Sequence, residues 1–425
     1  MIEIAIFFVV AVFLFLMPTA IPYLALLYLF INGLASREFV GSLKFTLGSV
    51  NILPLDLLYA VSVVFMMIFF VKKFFLKTAV YRDSAEANVV IFLIVLYFLF
   101  YMGKLVNGFL SNVPLDSLVR MFMSDTQQVY FFLPLAIYSI GSQFKRLTVV
   151  VIVLSICFPL YQPFLYGSKD TMTALRGQDT LRLGFGDGNV LLGLGAIALF
   201  CWEYKKYLTF LPLSGILMLG HRSAFISIAL AFSALSFFKG NKIKNLVLIG
   251  LSGVLMLAAL TAMQSFANIN MLDKLISRVE QTFEPTKTTM VRAAVITTVI
   301  EEVDKRPFTG LEYRELKEII KRAEFSPRDF NIYHPHNFIY LFLMGGGFLG
   351  SALLFLVIGR SMTAAYVLAK TDEFKLHGSY LFSSILYFLI FSLMNTTMTT
   401  VGYALWFLCG CVFWFFNKYK ATGIE

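Results

Sequence analysis

Long apolar runs separated by short polar clusters recur along this 425-residue chain. A membrane-crossing helix needs about 20 mainly apolar residues. Runs of that kind fall near 4–33, 53–71, 88–106, 127–142, 147–165, 188–204, 207–220, 222–238, 245–263, 336–359, 378–394 and 400–417. The first contains Pro18 and Pro22 and reads as one long kinked helix or two short ones. The pattern predicts an all-α fold, a polytopic transmembrane helical bundle of about twelve spans.

The pattern changes over 263–335, which carries eleven basic and eleven acidic residues. Within it, Met290 to Val303 keeps an apolar helical period and Glu312 to Ala323 is rich in charged helix formers. Pro307 and Gly310 between them predict a helix end and a turn. The chain therefore divides into nine spans over 1–262, a large helical outer loop over 263–335, and three spans with a short tail over 336–425. A loop this long inside a compact protein is usually functional.

Composition excludes a soluble reading. Hydrophobic residues make up 59% of the chain and charged residues 14%, against roughly 25% charged in soluble domains. Met1 to Phe15 carries Glu3 and no basic cluster, so this stretch reads as a first span and not as a cleaved signal. Cys157, Cys201, Cys409 and Cys411 all lie inside apolar runs, which argues against a disulfide framework and against a zinc site.

The net charge of +10 is a topology signal. Alternate loops from 72–87 onward carry Lys72, Lys73, Lys77 and Arg82, then Lys145 and Arg146, Lys205 and Lys206, Lys239, Lys242 and Lys244, Arg360, Lys370 and Lys375, and Lys418 and Lys420. The short loops of the other side hold half as many, among them Arg37, Lys44, Lys104, Arg120, Arg182 and Arg222. Basic residues of short loops stay in the cytoplasm, so the C-terminus is expected inside and 263–335 outside. The charge gives no reason to expect nucleic acid. All 35 Lys and Arg are expected in loops or at span ends.

Four polar clusters fall on the outer side. Arg182-Leu-Gly-Phe-Gly-Asp-Gly-Asn189 precedes the sixth predicted span and reads as a turn or a ligand approach. Gly220-His221-Arg222-Ser223 is wedged between two apolar runs, where an arginine is costly and marks a functional site. The planar fork of Arg222 suits phosphate, and a helix N-terminus also favours anions. Arg292 sits on an otherwise apolar face in Thr288 to Val295, followed by Lys305-Arg306-Pro307-Phe-Thr-Gly310. There Arg306 is either a second phosphate contact or a helix-terminal surface charge. Tyr333-His334-Pro-His336-Asn337 stands at the mouth of a span that continues into Gly345-Gly-Gly-Phe-Leu-Gly350. Histidine is the side chain best poised to move a proton near neutral pH. The chain has no HExxH, no DxD pair and no cysteine outside the bilayer, so neither metal nor cofactor is expected.

In this order the clusters resemble the O-antigen ligase and polymerase superfamily, integral-membrane glycosyltransferases of GT-C type. The resemblance runs from about Arg182 to Phe416. The Arg182–Asn189 element, the Arg222-Ser-Ala224 element opening a span, the Arg292-led helix ending in Pro307-x-x-Gly310, and His336-Asn337 with the glycine span carry it. His221 stands where a hydroxyl residue is more usual, and Met344 where an acidic one is common.

The resemblance implies a donor glycan on undecaprenyl pyrophosphate and an acceptor sugar hydroxyl, joined at the periplasmic face of a bacterial inner membrane. It implies His336 as general base, Arg222 and Arg292 on the pyrophosphate, and Asn337, His334, Asn189, Arg182 and Arg306 as further contacts. Polymerase and ligase both fit, with a lean to polymerase. A partner co-polymerase that sets chain length is also compatible with it. A flippase or other transporter is the alternative of another class, but such folds usually carry internal repeats, and none is visible.

Overall fold

The computed structural model describes residues 12–34, 45–47, 50–52, 54–75, 84–137, 143–166, 188–202, 206–219, 222–238, 297, 300–315, 338–394 and 398–422. The described residues are helical, with one short antiparallel hairpin that pairs Phe45 with Ile52 and Leu47 with Val50. In chain order the helices are α1 (Ile21–Leu34), α2 (Pro54–Phe70), α3 (Ala85–Leu110), α4 (Leu115–Asp125), α5 (Phe132–Ala136) and α6 (Phe144–Tyr166). They continue with α7 (Gly188–Cys201), α8 (Phe210–Leu219), α9 (Arg222–Phe238), α10 (Phe338–Lys370), α11 (Lys375–Met394) and α12 (Met398–Ala421). Six helices among the described residues are long and apolar enough to cross a membrane, and α1, α7, α8 and α9 lie in shorter apolar helices. The predicted span over 245–263 lies outside the described residues.

The chain is non-helical at Met17, directly before Pro18, which is the break the two prolines of the first run predict. The run 127–142 differs from expectation. Over its described part it is a tight turn at Gln127–Phe131 followed by the five-residue α5, and not a regular span. Residues Gln127 to Pro134 are all buried, with Tyr130 against Tyr403 and Phe131 against Phe413 of α12. Irregular backbone is tolerated at membrane depth where protein covers it. Helix α7 has every residue buried and α12 nearly every one, as expected of helices apolar all round.

One end of the bundle is fixed by polar contacts between distant segments. Ser84 caps α3 and gives both its N–H and its hydroxyl to Asn417 Oδ1, at 3.0 and 2.9 Å. Arg360 pairs with Glu86 at 2.8 Å. Phe144 packs on Phe415, and Phe374 on Tyr419. These contacts gather at one end the neighbours of Lys145, Lys370, Lys375 and Lys418, residues the charge pattern assigns to one side.

Helix α10 runs eleven residues past the end its hydropathy predicts and is interrupted at Gly347 (φ 57, ψ −159). That conformation is open to glycine and strained for other residues. The break receives the turn that follows the outer-loop helix, where Gly310 also has positive φ (67). The two glycines face each other: a Cβ on Gly347 would stand 2.5 Å from Gly310 N and 2.6 Å from Phe308 O. Gly347→Ala should therefore lower stability by about 2–4 kcal/mol, while Gly359→Ala, whose Cβ meets nothing, should cost nothing or gain up to about 1 kcal/mol. Thermal unfolding of the two purified variants checks this, and equal midpoints would refute the packing account.

Candidate functional site

Three helices and one turn bring the described parts of the predicted clusters to a single end of the bundle. Phe238, the last residue of α9, packs on Tyr366 of α10 and Phe382 of α11. Arg222 begins α9 sixteen residues earlier, about 24 Å away along the helix, which is the level of Gly350 in α10; Phe338, the first residue of α10, is close by because it packs on Phe355. Phe200 of α7 stacks on Phe232 of α9 with ring centroids 4.8 Å apart. Counting back along both helices brings Asn189, in the first turn of α7, to the Arg222 level. A Cβ on Gly188 would lie 3.1 Å from Leu219 Cδ1 at the end of α8, which joins the same two helix starts from the other direction.

Asn189 is fully buried, and its carbonyl accepts the Tyr387 hydroxyl at 2.9 Å. Arg222 is the first residue of α9, as its motif predicts. Arg306 is half-exposed and bonds both carboxylate oxygens of Glu315, at 2.9 and 3.1 Å. Glu315 also receives the Glu312 N–H at 2.9 Å, so Arg306 helps to fix the turn. Arg182, Arg292, His334, His336 and Asn337 lie outside the described residues. The chain around them is described from Thr297 on one side of the loop and from Phe338 on the other. The helix predicted over 290–303 is present in its described part and ends before Pro307.

Between these two segments lies a polar cluster that the sequence reading missed. The Pro307–Gly310 turn docks into the break of α10: Leu311 N–H donates to Met344 O at 2.8 Å, Phe348 N–H to Pro307 O at 2.7 Å, and Leu349 N–H to Phe308 O at 3.1 Å. Lys104 of α3 adds two bonds, to Leu311 O at 2.9 Å and Gly345 O at 2.6 Å. Lys104 is only 4% exposed and lies six residues inside its helix, which corrects the expectation that every basic residue sits in a loop or at a span end. A lysine within Tyr101-Met-Gly-Lys104-Leu-Val is the signal that could have found it, since charge inside an apolar run is functional by default.

Asp125 ends α4 below this turn. The α3 tyrosine Tyr97 donates to its backbone carbonyl at 3.1 Å. Burial pushes the Asp125 carboxyl up to about 7, against the pull of Lys104 and of the Tyr313 hydroxyl facing it. Burial likewise raises the Tyr313 hydroxyl above its usual range. The cluster thus holds one cation and one carboxyl that titrates near neutrality, under the turn that joins two of the predicted site segments.

The apolar helices are those of a multi-pass membrane protein. Residues 207–355 match the family model described as O-antigen ligase. The match runs from just before α8 to the middle of α10, about a third of the chain, and this stretch is similar to the O-antigen ligase and polymerase superfamily. The matched range includes Arg222, Arg292, Arg306, His334, His336 and both glycine elements, and leaves out Asn189, Lys104 and Asp125. Among curated proteins none matches the chain.

The titration of Asp125 has a definite sign. A carboxyl raised in the fold from 3.8 to about 7 favours the folded state most below the lower value, and that contribution is lost as pH rises through the upper one. Asp125→Asn should therefore raise the thermal midpoint relative to wild type more at pH 8 than at pH 5. An identical difference at both pH values would show that Asp125 does not titrate in this window.

Proposed function

We propose that the chain transfers a glycan from undecaprenyl pyrophosphate to an acceptor sugar hydroxyl at the periplasmic face of the bacterial inner membrane, as an O-antigen or surface-polysaccharide polymerase. The acceptor oxygen attacks C1 of the donor sugar, the bond from C1 to the pyrophosphate oxygen breaks, and the anomeric centre inverts. His336 takes the acceptor proton as general base. Arg222 and Arg292 stabilise the charge on the departing pyrophosphate, which removes the need for a metal. The N-terminus of α9 adds its dipole to the Arg222 charge. Asn337, His334, Asn189 and Arg182 contact sugar or support the site, and Arg306 holds the turn. The acceptor is a second lipid-linked glycan, and a co-polymerase partner sets chain length. The C-terminus lies in the cytoplasm.

The observation that carries this reading is the convergence of the starts of α7, α9 and α10 with the Pro307–Gly310 turn at one end of the bundle, the last three of these within the stretch that matches an O-antigen ligase family. A transporter would need its ionisable groups along a path through the membrane. The match to an O-antigen ligase family favours a second reading, ligation of the glycan to lipid A-core.

With purified protein and a lipid-pyrophosphate glycan, His336→Ala and Arg222→Ala should each lower transfer by roughly 10²–10³-fold, and EDTA should leave wild-type activity intact. Full activity in both variants would sink the site assignment. A deletion strain separates the two acceptors: single repeats left on core indicate a polymerase, and uncapped core indicates a ligase.

A further inference from the structure

A break inside a membrane helix frees backbone groups on both sides, and each must find a partner away from water. In α10 the turn 307–311 satisfies Met344 O and the N–H groups of Phe348 and Leu349, but Gly345 O turns toward α3 and is met by Lys104. The same ammonium holds Leu311 O, the last carbonyl of the turn. One nitrogen therefore bonds the two sides of the joint at once, 2.9 Å from one carbonyl and 2.6 Å from the other. Its remaining face lies over the Phe100 ring, 5.2 Å from the centroid.

Snorkelling does not describe this lysine, because it is buried and its nitrogen points into the joint. Packing alone does not require it, since a methionine has similar volume and carries no charge to desolvate. The charge has counterparts on every side: Asp125 from α4 and Glu312 and Glu315 from the loop attract it, and Arg306 opposes them. Along the chain, Arg292 lies nineteen residues before Leu311 and His336 nine before Gly345.

We propose that Lys104 is a positioning residue for glycan transfer: by gripping Leu311 O and Gly345 O together it sets the spacing between the outer segment led by Arg292 and the span led by His336. This role rests on the transferase reading above, in which those two residues act on one substrate. Lys104 touches neither donor nor acceptor, and its effect passes through the joint.

The test uses full-length protein in lipid nanodiscs, with Lys104→Met, Asp125→Asn and the double variant. Lys104→Met should speed hydrogen exchange at least tenfold in peptides covering 307–311 and 344–349. It should also lower kcat at least tenfold while changing the donor KM by less than threefold. The double variant removes the buried carboxyl whose charge Lys104 favours together with Lys104 itself, so its thermal midpoint should recover while kcat stays low. Recovery of kcat together with the midpoint would show a purely structural role and overturn the proposal. A fully active Lys104→Met overturns it as well, with the transferase reading intact. Wild-type protein that binds lipid-pyrophosphate glycan but transfers nothing would sink the transferase reading, and this role with it.

Discussion

A membrane helix that breaks must hand its freed backbone groups to some other part of the protein, and this requirement organises the outer end of the bundle. Gly347 interrupts α10 at a conformation strained for any side chain. The groups released there are taken up by the Pro307–Gly310 turn and by Lys104. The turn needs a glycine of its own at 310 because the two backbones approach too closely for a Cβ on either. Lys104 needs a counter-charge because it is buried, and Asp125 with Glu312 and Glu315 supplies it. Each of these features follows from the one before, starting from a single unpaired stretch of backbone.

The charges divide the molecule by function. One end gathers the segments that bear Lys145, Lys370, Lys375 and Lys418, joined by Ser84, Asn417, Glu86 and Arg360. Those lysines are residues that the charge pattern assigns to one side. Around the break in α10, the buried Lys104 is held by two backbone carbonyls with Asp125 nearby. An environment of that kind strengthens every electrostatic contact within it.

The glycine elements show how much of this was legible. Pro307-x-x-Gly310 and Gly345 to Gly350 were both visible as motifs, and each predicted a local departure from helix. That they are two halves of one joint was not visible, because they are separated by 35 residues or more and neither constrains the other's partner. Arg222 was legible for a different reason: an arginine wedged between apolar runs is anomalous on its own. Lys104 was equally anomalous in its run but was counted as a loop charge, and Asp125 carried no signal, since an aspartate ending a polar amphipathic segment is ordinary. The run 127–137 misled in the opposite sense. Its composition suits a span, but contact with α12 decides its shape.

Sequence alone determined that this is a many-helix membrane protein, and it singled out Arg222 and the two glycine elements as departures from the apolar pattern. Hydropathy and charge act residue by residue against solvent and lipid, so their pattern can be read along the chain. The tertiary structure decided which segments meet: the turn in the α10 break, the lysine across the joint, the carboxyl beneath it, and the alignment of α7, α9 and α10 at one level. Those facts depend on close contacts between residues far apart in sequence, whose partners only the packed bundle selects.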